Sequence, residues 1–223
     1  MNSLSSARWA AIAAIVFAII FVAATVVLTG QIWYDITEDE YLDIYNDSTE
    51  RAVIIATALV ALLATAPLGI FLVHLLGRLR IAEGGEAPLT RMAQLAAAVI
   101  ATTWVTANVA QANVAANITF GDYPTPSPEL AQHFSGFGTG LVLLGTLFGA
   151  SALMGLTATI AFRSGVFPRW LAWLSVVAAV LSLFGAAFYP ALAFPVWLIA
   201  FGVHLLRRGE QPMMAAPPPG LST

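Results

Sequence analysis

The side chains able to do chemistry in this 223-residue sequence are few, and their spacing narrows what each could do. His74 and His204 recur in matching settings, Phe71-Leu-Val-His74-Leu-Leu-Gly-Arg78 and Phe201-Gly-Val-His204-Leu-Leu-Arg207, each closing an apolar segment. Two imidazoles at one depth are what a haem b ligated by two histidines requires. They are equally what two helix ends produce where a cation suits the C-terminal dipole. The helix-end reading is adopted and no cofactor is expected; haem ligation by His74 and His204 is the alternative. His133 follows Glu129 by four residues and could pair with it, but no third ligand stands nearby, so no metal site is expected. The absence of cysteine removes thiol catalysis, thiolate metal sites and disulfides. No Ser/His/Asp set, phosphate-cradling glycine loop or metalloprotease helix is present, and no catalytic residue is expected.

Uncharged polar side chains offer more. The apolar run Ala93–Phe120 carries Thr102, Thr103, Thr106, Asn108, Gln111, Asn113 and Asn117. At about 100° per residue, Thr103, Thr106, Asn113 and Asn117 fall on one stripe, with Asn108 and Gln111 on another face. Such a stripe either lines a polar cavity, as in a small-molecule permease, or bonds to a neighbouring helix. The next apolar run, Leu130–Phe162, presents a smooth seam of Gly138, Gly145, Gly149 and Ala152, so interhelical packing is the reading adopted. No Asp, Glu, Lys or Arg lies deep inside an apolar run, which argues against an ion-coupled transporter.

Charge collects elsewhere. Residues Gln31–Arg51 hold Asp35, Glu38, Asp39, Glu40, Asp43, Asp47 and Glu50. Thr37-x-x-Glu40 has capping-box spacing, and Tyr41, Ile44 and Tyr45 share one helical face, which predicts a short amphipathic helix at a membrane surface. Asp47 and Glu50 suit the N-terminus of the helix that follows. The acidic run lacks the Asp-x-Asp-x-Asp-Gly pattern of a calcium loop and reads as a solvated face.

These groups must be positioned by apolar helices. The chain is 59% hydrophobic and 9% charged with mean hydropathy +0.84, whereas a soluble domain carries about 25% charged residues. Runs near 9–30, 52–77, 92–118, 130–162, 169–188 and 191–206 are predicted to be spans, since about 20 residues cross 30 Å of hydrocarbon. The expected fold is therefore an all-α, polytopic transmembrane bundle of six spans. The first run is too long for a signal peptide and reads as an uncleaved span. Pro67 should kink the second, and Ser127-Pro128-Glu129 should start the fourth. The last run, of about 16 residues, is short for a full crossing. Residues 209–223, rich in proline, read as a disordered tail.

Six spans place Arg8, Arg78, Arg80, Arg91, Arg163, Arg169, Arg207 and Arg208 on one side and Arg51 on the other. The positive-inside bias then predicts cytoplasmic N- and C-termini in a bacterial plasma membrane. Trp9, Trp170 and Trp173 fall at the inner interface, with Trp33, Tyr34 and Tyr189 at the outer one. Arg163, Pro168, Arg169, Trp170 and Trp173 make a tight basic turn that should anchor helix ends against anionic lipid.

The run Phe162-Arg-Ser-Gly-Val-Phe-Pro-Arg-Trp-Leu-Ala-Trp-Leu174 resembles the signature of a bacterial family of six-span membrane proteins of unknown function. Val196-Trp-Leu-Ile199 is similar to that family's last span, and the likeness covers roughly residues 8–206. The resemblance implies the fold and the membrane location. An Asn-Glu pair that often opens the family's last span is replaced here by Ala193-Phe194, so no role for that carboxylate carries over. The expected function is a non-enzymatic partner subunit, scaffold or sensor. Its partners would be membrane lipid and another membrane protein or a second copy, and not nucleic acid.

Overall fold

A computed structural model describes residues 3–30, 37–184 and 189–208. Trp33, Tyr34, Asp35 and the tail 209–223 lie outside the described residues, as do the side chains of Glu38, Tyr41 and Tyr189. The described residues form helices α1 (Ser3–Gly30), α2 (Glu38–Asn46), α3 (Ser48–Leu63), α4 (Thr65–Glu83) and α5 (Pro88–Gly121). They continue as α6 (Pro128–Gly140), α7 (Leu147–Ser164), α8 (Arg169–Leu183) and α9 (Ala193–Arg208). A π-helical stretch, Leu141–Thr146, joins α6 to α7, and a 3-10 turn, Tyr189–Leu192, leads into α9. Among the described residues there is no strand, and the chain is an all-α bundle.

Among the described residues, five segments are long and apolar enough to cross a membrane: Ser6–Leu28, Ser48–Glu83, Pro88–Gly121, Pro128–Ser164 and Pro190–Arg207. This marks a membrane protein. The shorter apolar helix is Arg169–Leu183, so the shortfall falls on α8 and not on the last segment. The 3-10 turn lengthens that last segment, while α8 leaves helical geometry at Phe184 (φ −97°, ψ 18°).

The second apolar segment breaks at Ala64, three residues before Pro67. Proline has no N–H to return to Leu63 and its ring crowds that carbonyl, so the helix opens just upstream. One of the carbonyls there is taken by another helix: the Trp104 indole N–H of α5 donates to Ala61 O at 2.9 Å.

Trp104 is 1% exposed and sits where α1, α3 and α5 meet. Its ring stacks on Phe21 at 5.1 Å and meets Phe17 edge-on at 5.5 Å. Phe17 and Phe21 in turn contact Phe194 of α9, which leads through Trp197 to Phe201 and Phe167. With lipid as apolar as leucine, helix association rests on close packing and hydrogen bonds rather than on expulsion of water. A column of interlocked rings supplies that packing, at about 0.5–1.5 kcal/mol per aromatic pair. Polar ties join the remaining helices. Ser151 of α7 donates to Ala179 O of α8 at 2.7 Å, and Trp197 Nε1 of α9 donates to Ser175 Oγ of α8 at 2.8 Å. Gly202 lets α9 lie on α1, since an added Cβ would come within 2.9 Å of Ala11 O.

Candidate functional site

α5 touches α3, α4, α6, the π stretch and α7, so its faces decide which polar groups meet. Gly138, Gly145 and Gly149 all stand against it. A Cβ on Gly138 would lie 2.8 Å from Ala107 O, one on Gly145 2.7 Å from Thr103 Cγ2, and one on Gly149 3.0 Å from Ile100 Cγ1. Ala152, by contrast, is exposed.

The structure divides the Thr/Asn stripe. Thr103 lies at the seam: it donates to Val99 O at 2.7 Å, and Thr146 of the π stretch stands 2.9 Å from its hydroxyl. Thr106 is exposed and satisfied by Thr102 O of its own helix. Asn113 and Asn117 pair with each other at the far end of α5, Asn117 Nδ2 donating to Asn113 Oδ1 at 2.9 Å. The buried amides are on the other face. Gln111, 5% exposed, donates to Thr139 Oγ1 of α6 at 3.2 Å, and Asn108, 1% exposed, donates to Trp104 O at 2.8 Å. No continuous polar stripe runs along α5; the four residues serve a seam, the lipid-facing surface and an end.

Beside Asn113 and Asn117 is a pocket of about 400 Å³ open on one side. Val114 and Ile118 of α5, Tyr123, Pro124, Thr125 and Pro126 of the loop after it, and Leu130 and Phe134 of α6 complete its lining. The loop starts at Asp122, which holds a left-handed conformation (φ 55°) as α5 ends.

α2 is fastened over this end of the bundle. Its capping box forms: Thr37 Oγ1 accepts from Glu40 N, and the Glu40 carboxylate accepts from Thr37 N at 3.0 Å. That backbone N–H, then the Thr37 hydroxyl, holds the Glu40 carboxyl below the usual carboxylate range. Tyr45 is buried in the core and Ile44 packs against it. Asn46 accepts from Thr125 Oγ1 at 3.1 Å, while Arg51 donates to Tyr45 O at 2.5 Å and to Thr119 Oγ1 at 3.3 Å. Asp47 ends α2 and caps α3, accepting from Thr49 N at 2.6 Å, and this bond above all depresses its pKa. Asp39, Glu40 and Asp43 are left exposed on the outer surface of the helix.

The opposite end carries arginines, Arg163 and Arg169 among them, whereas Arg51 lies at the α2 end. Gly165 ends α7 in the left-handed region (φ 69°), a conformation that favours glycine, and Pro168 O receives the N–H groups of Leu171 and Ala172. This turn leaves Arg163, Arg169, Trp170 and Trp173 exposed and buries Phe167. Arg78 lies 5.6 Å above the Phe167 ring. Phe201 meets the rings of both Phe71 and Phe167, and His204 rests edge-on against Trp170 at 6.0 Å. His74 is half-buried on α4 and His133 exposed on α6; among the described residues no three metal-ligating side chains gather.

Sequence reasoning passed over Glu83. Its carboxylate accepts from Leu89 N (2.8 Å), Thr90 N (2.8 Å) and Thr90 Oγ1 (2.7 Å). It thus closes the N-terminus of α5, where Ala87 has no side-chain cap to offer and Pro88 no N–H. The signal available was an acid shortly before a proline-led helix that lacks an ordinary cap.

No family model matches the chain, and neither do curated proteins or solved structures.

Proposed function

We propose that this chain is a multi-pass protein of a bacterial plasma membrane with both termini cytoplasmic, related to the six-span family that its Pro-Arg-Trp-Leu turn resembles. It works as a non-enzymatic partner subunit that presents the acidic face of α2, outside the cell, to a basic segment of another membrane protein. The observation that carries this reading is the contrast within α2. Its backbone is pinned by Tyr45, Asn46–Thr125, Arg51 and two capped ends, while Asp39, Glu40 and Asp43 remain turned to solvent. A helix held rigid with its charges unshielded loses little freedom on docking, and complementary charge steers a basic partner toward it. The arginine count supports the orientation, and the exposed Arg163, Arg169, Trp170 and Trp173 suit an anchor at the cytoplasmic headgroups.

Two other readings find less support. A permease needs a continuous polar lining, and the Thr/Asn positions of α5 separate onto different surfaces. A haem held by His74 and His204 needs both imidazoles turned to one slot, and His204 rests edge-on against Trp170.

A photo-crosslinking residue at Asp43, with one at lipid-facing Leu63 as control, tests the docking in living cells. A discrete adduct from Asp43, lost in Asp39→Arg, is expected. No adduct from Asp43, or one that survives that charge reversal, would remove the acidic face as the docking surface.

A further inference from the structure

We infer that the pocket at the end of α5 is a binding site for a small neutral amphiphile, a molecule with one amide or hydroxyl head on an apolar body. At about 400 Å³ it falls within the range of small-molecule sites, roughly 300–1,000 Å³. Its chemistry sets the class. Asn113 and Asn117 spend one amide group each on their mutual bond. One NH2 and one carbonyl therefore remain side by side, a donor and an acceptor for a group that has both. Leu130 and Phe134 form the apolar wall opposite, and Tyr123, 65% exposed, stands at the mouth. No Asp, Glu, Lys or Arg lines the pocket, so a charged ligand would give up its hydration without a counter-charge.

The pocket is a site and not a passage. One turn deeper, Gln111 is bonded to Thr139 and Gly138 lies directly against Gln111, which closes α5 on α6. Its level in the membrane follows from length: α5 has 34 residues and is about 51 Å long, so its last turns reach the interface beyond a hydrocarbon core of about 30 Å. The site is thus reachable both by a solute from water and by the hydroxyl head of a neutral lipid. It stands independently of the docking proposed for α2, although Thr125 belongs to both.

Benzamide, one primary amide on one ring, is a suitable probe. The full chain, labelled with 15N-asparagine and held in detergent micelles, would be titrated while the side-chain amides of Asn113 and Asn117 are followed by NMR. Saturable shifts at both are expected, with benzoate and benzamidinium at least about tenfold weaker for want of a counter-charge. Asn113→Leu should abolish the response at Asn117. Leu130→Trp, which blocks the opposite wall and leaves the amide pair intact, should do the same if Asn113→Leu does not fold. Linear shifts without saturation, an unchanged response in Leu130→Trp, or equal binding of the charged analogues would overturn the assignment. Repeating the titration in nanodiscs with diacylglycerol separates the sources. Displacement of benzamide identifies a lipid hydroxyl head as the ligand, and undiminished binding identifies a water-borne solute.

Discussion

The indole N–H of Trp104 donates to the Ala61 carbonyl at 2.9 Å, tying the centre of α5 to the break that Pro67 opens between α3 and α4. The carbonyl that Pro67 deprives of a helical donor is Leu63 O, two residues on; what Ala61 O supplies is an acceptor for an indole N–H that would otherwise be stranded among apolar side chains. Trp104→Phe keeps most of the ring stacking on Phe21 and removes the donor. Its expected cost is about 1–3 kcal/mol, read as a lower melting temperature in detergent; an unchanged melting temperature would show that the bond is incidental.

Glycines provide a paired test of the α5 seam. Gly138→Leu and Gly149→Leu should each destabilise by at least about 1–3 kcal/mol, because a side chain there runs into Ala107 O and Ile100. Gly136→Leu and Gly155→Leu should be nearly silent, since nothing lies within 4 Å of either added Cβ. Equal melting temperatures across all four variants would dissolve the seam.

Acid should loosen α2 in a defined window. The carboxyls of Asp47 and Glu40 are depressed mainly by the N–H groups of Thr49 and Thr37. Their stabilisation is therefore complete above the free-carboxyl value of about 4 and fades only as pH falls through the lower folded values. The Thr49 and Glu40 amide resonances should stay constant from neutrality down to about pH 4 and move below it. Asp47→Asn, which also caps, should remove the Thr49 transition. A transition near pH 6 would point to a histidine instead.

Haem supplied during expression should give no stoichiometric Soret band in the purified protein. A band lost in both His74→Ala and His204→Ala would make these histidines its ligands, and the cytochrome reading would replace the present one.

Particular residues show what the sequence disclosed. The membrane class was readable from composition, because a chain with 9% charged residues has too little polar surface for water, and the long helices from uninterrupted apolar runs of membrane-crossing length. The capping box of α2 was readable because its two partners are three residues apart. Which face of α5 is inward was not, because an apolar helix in lipid is hydrophobic on both sides and polarity no longer marks the exposed one. The regular Thr/Asn spacing pointed to one stripe, whereas the buried amides are Asn108 and Gln111, placed by what stands opposite: Gly138 and Thr139 for Gln111. Trp104 and Trp197 were equally obscure, since tryptophan in a membrane chain usually signals an interface and these two fill the core. The π stretch left no local signature; it shows only in the backbone and in the Thr146 hydroxyl brought to Thr103.

The placement of the acidic helix outside and the arginine end inside underlies the whole functional account, and the chain is naturally suited to a direct test because it has no cysteine. Asp43→Cys and Glu86→Cys, both at exposed positions, would be treated with a membrane-impermeant maleimide in intact cells. The account predicts rapid labelling of Asp43→Cys and labelling of Glu86→Cys only after the membrane is permeabilised. Labelling of Glu86→Cys in intact cells, with Asp43→Cys protected, would contradict it.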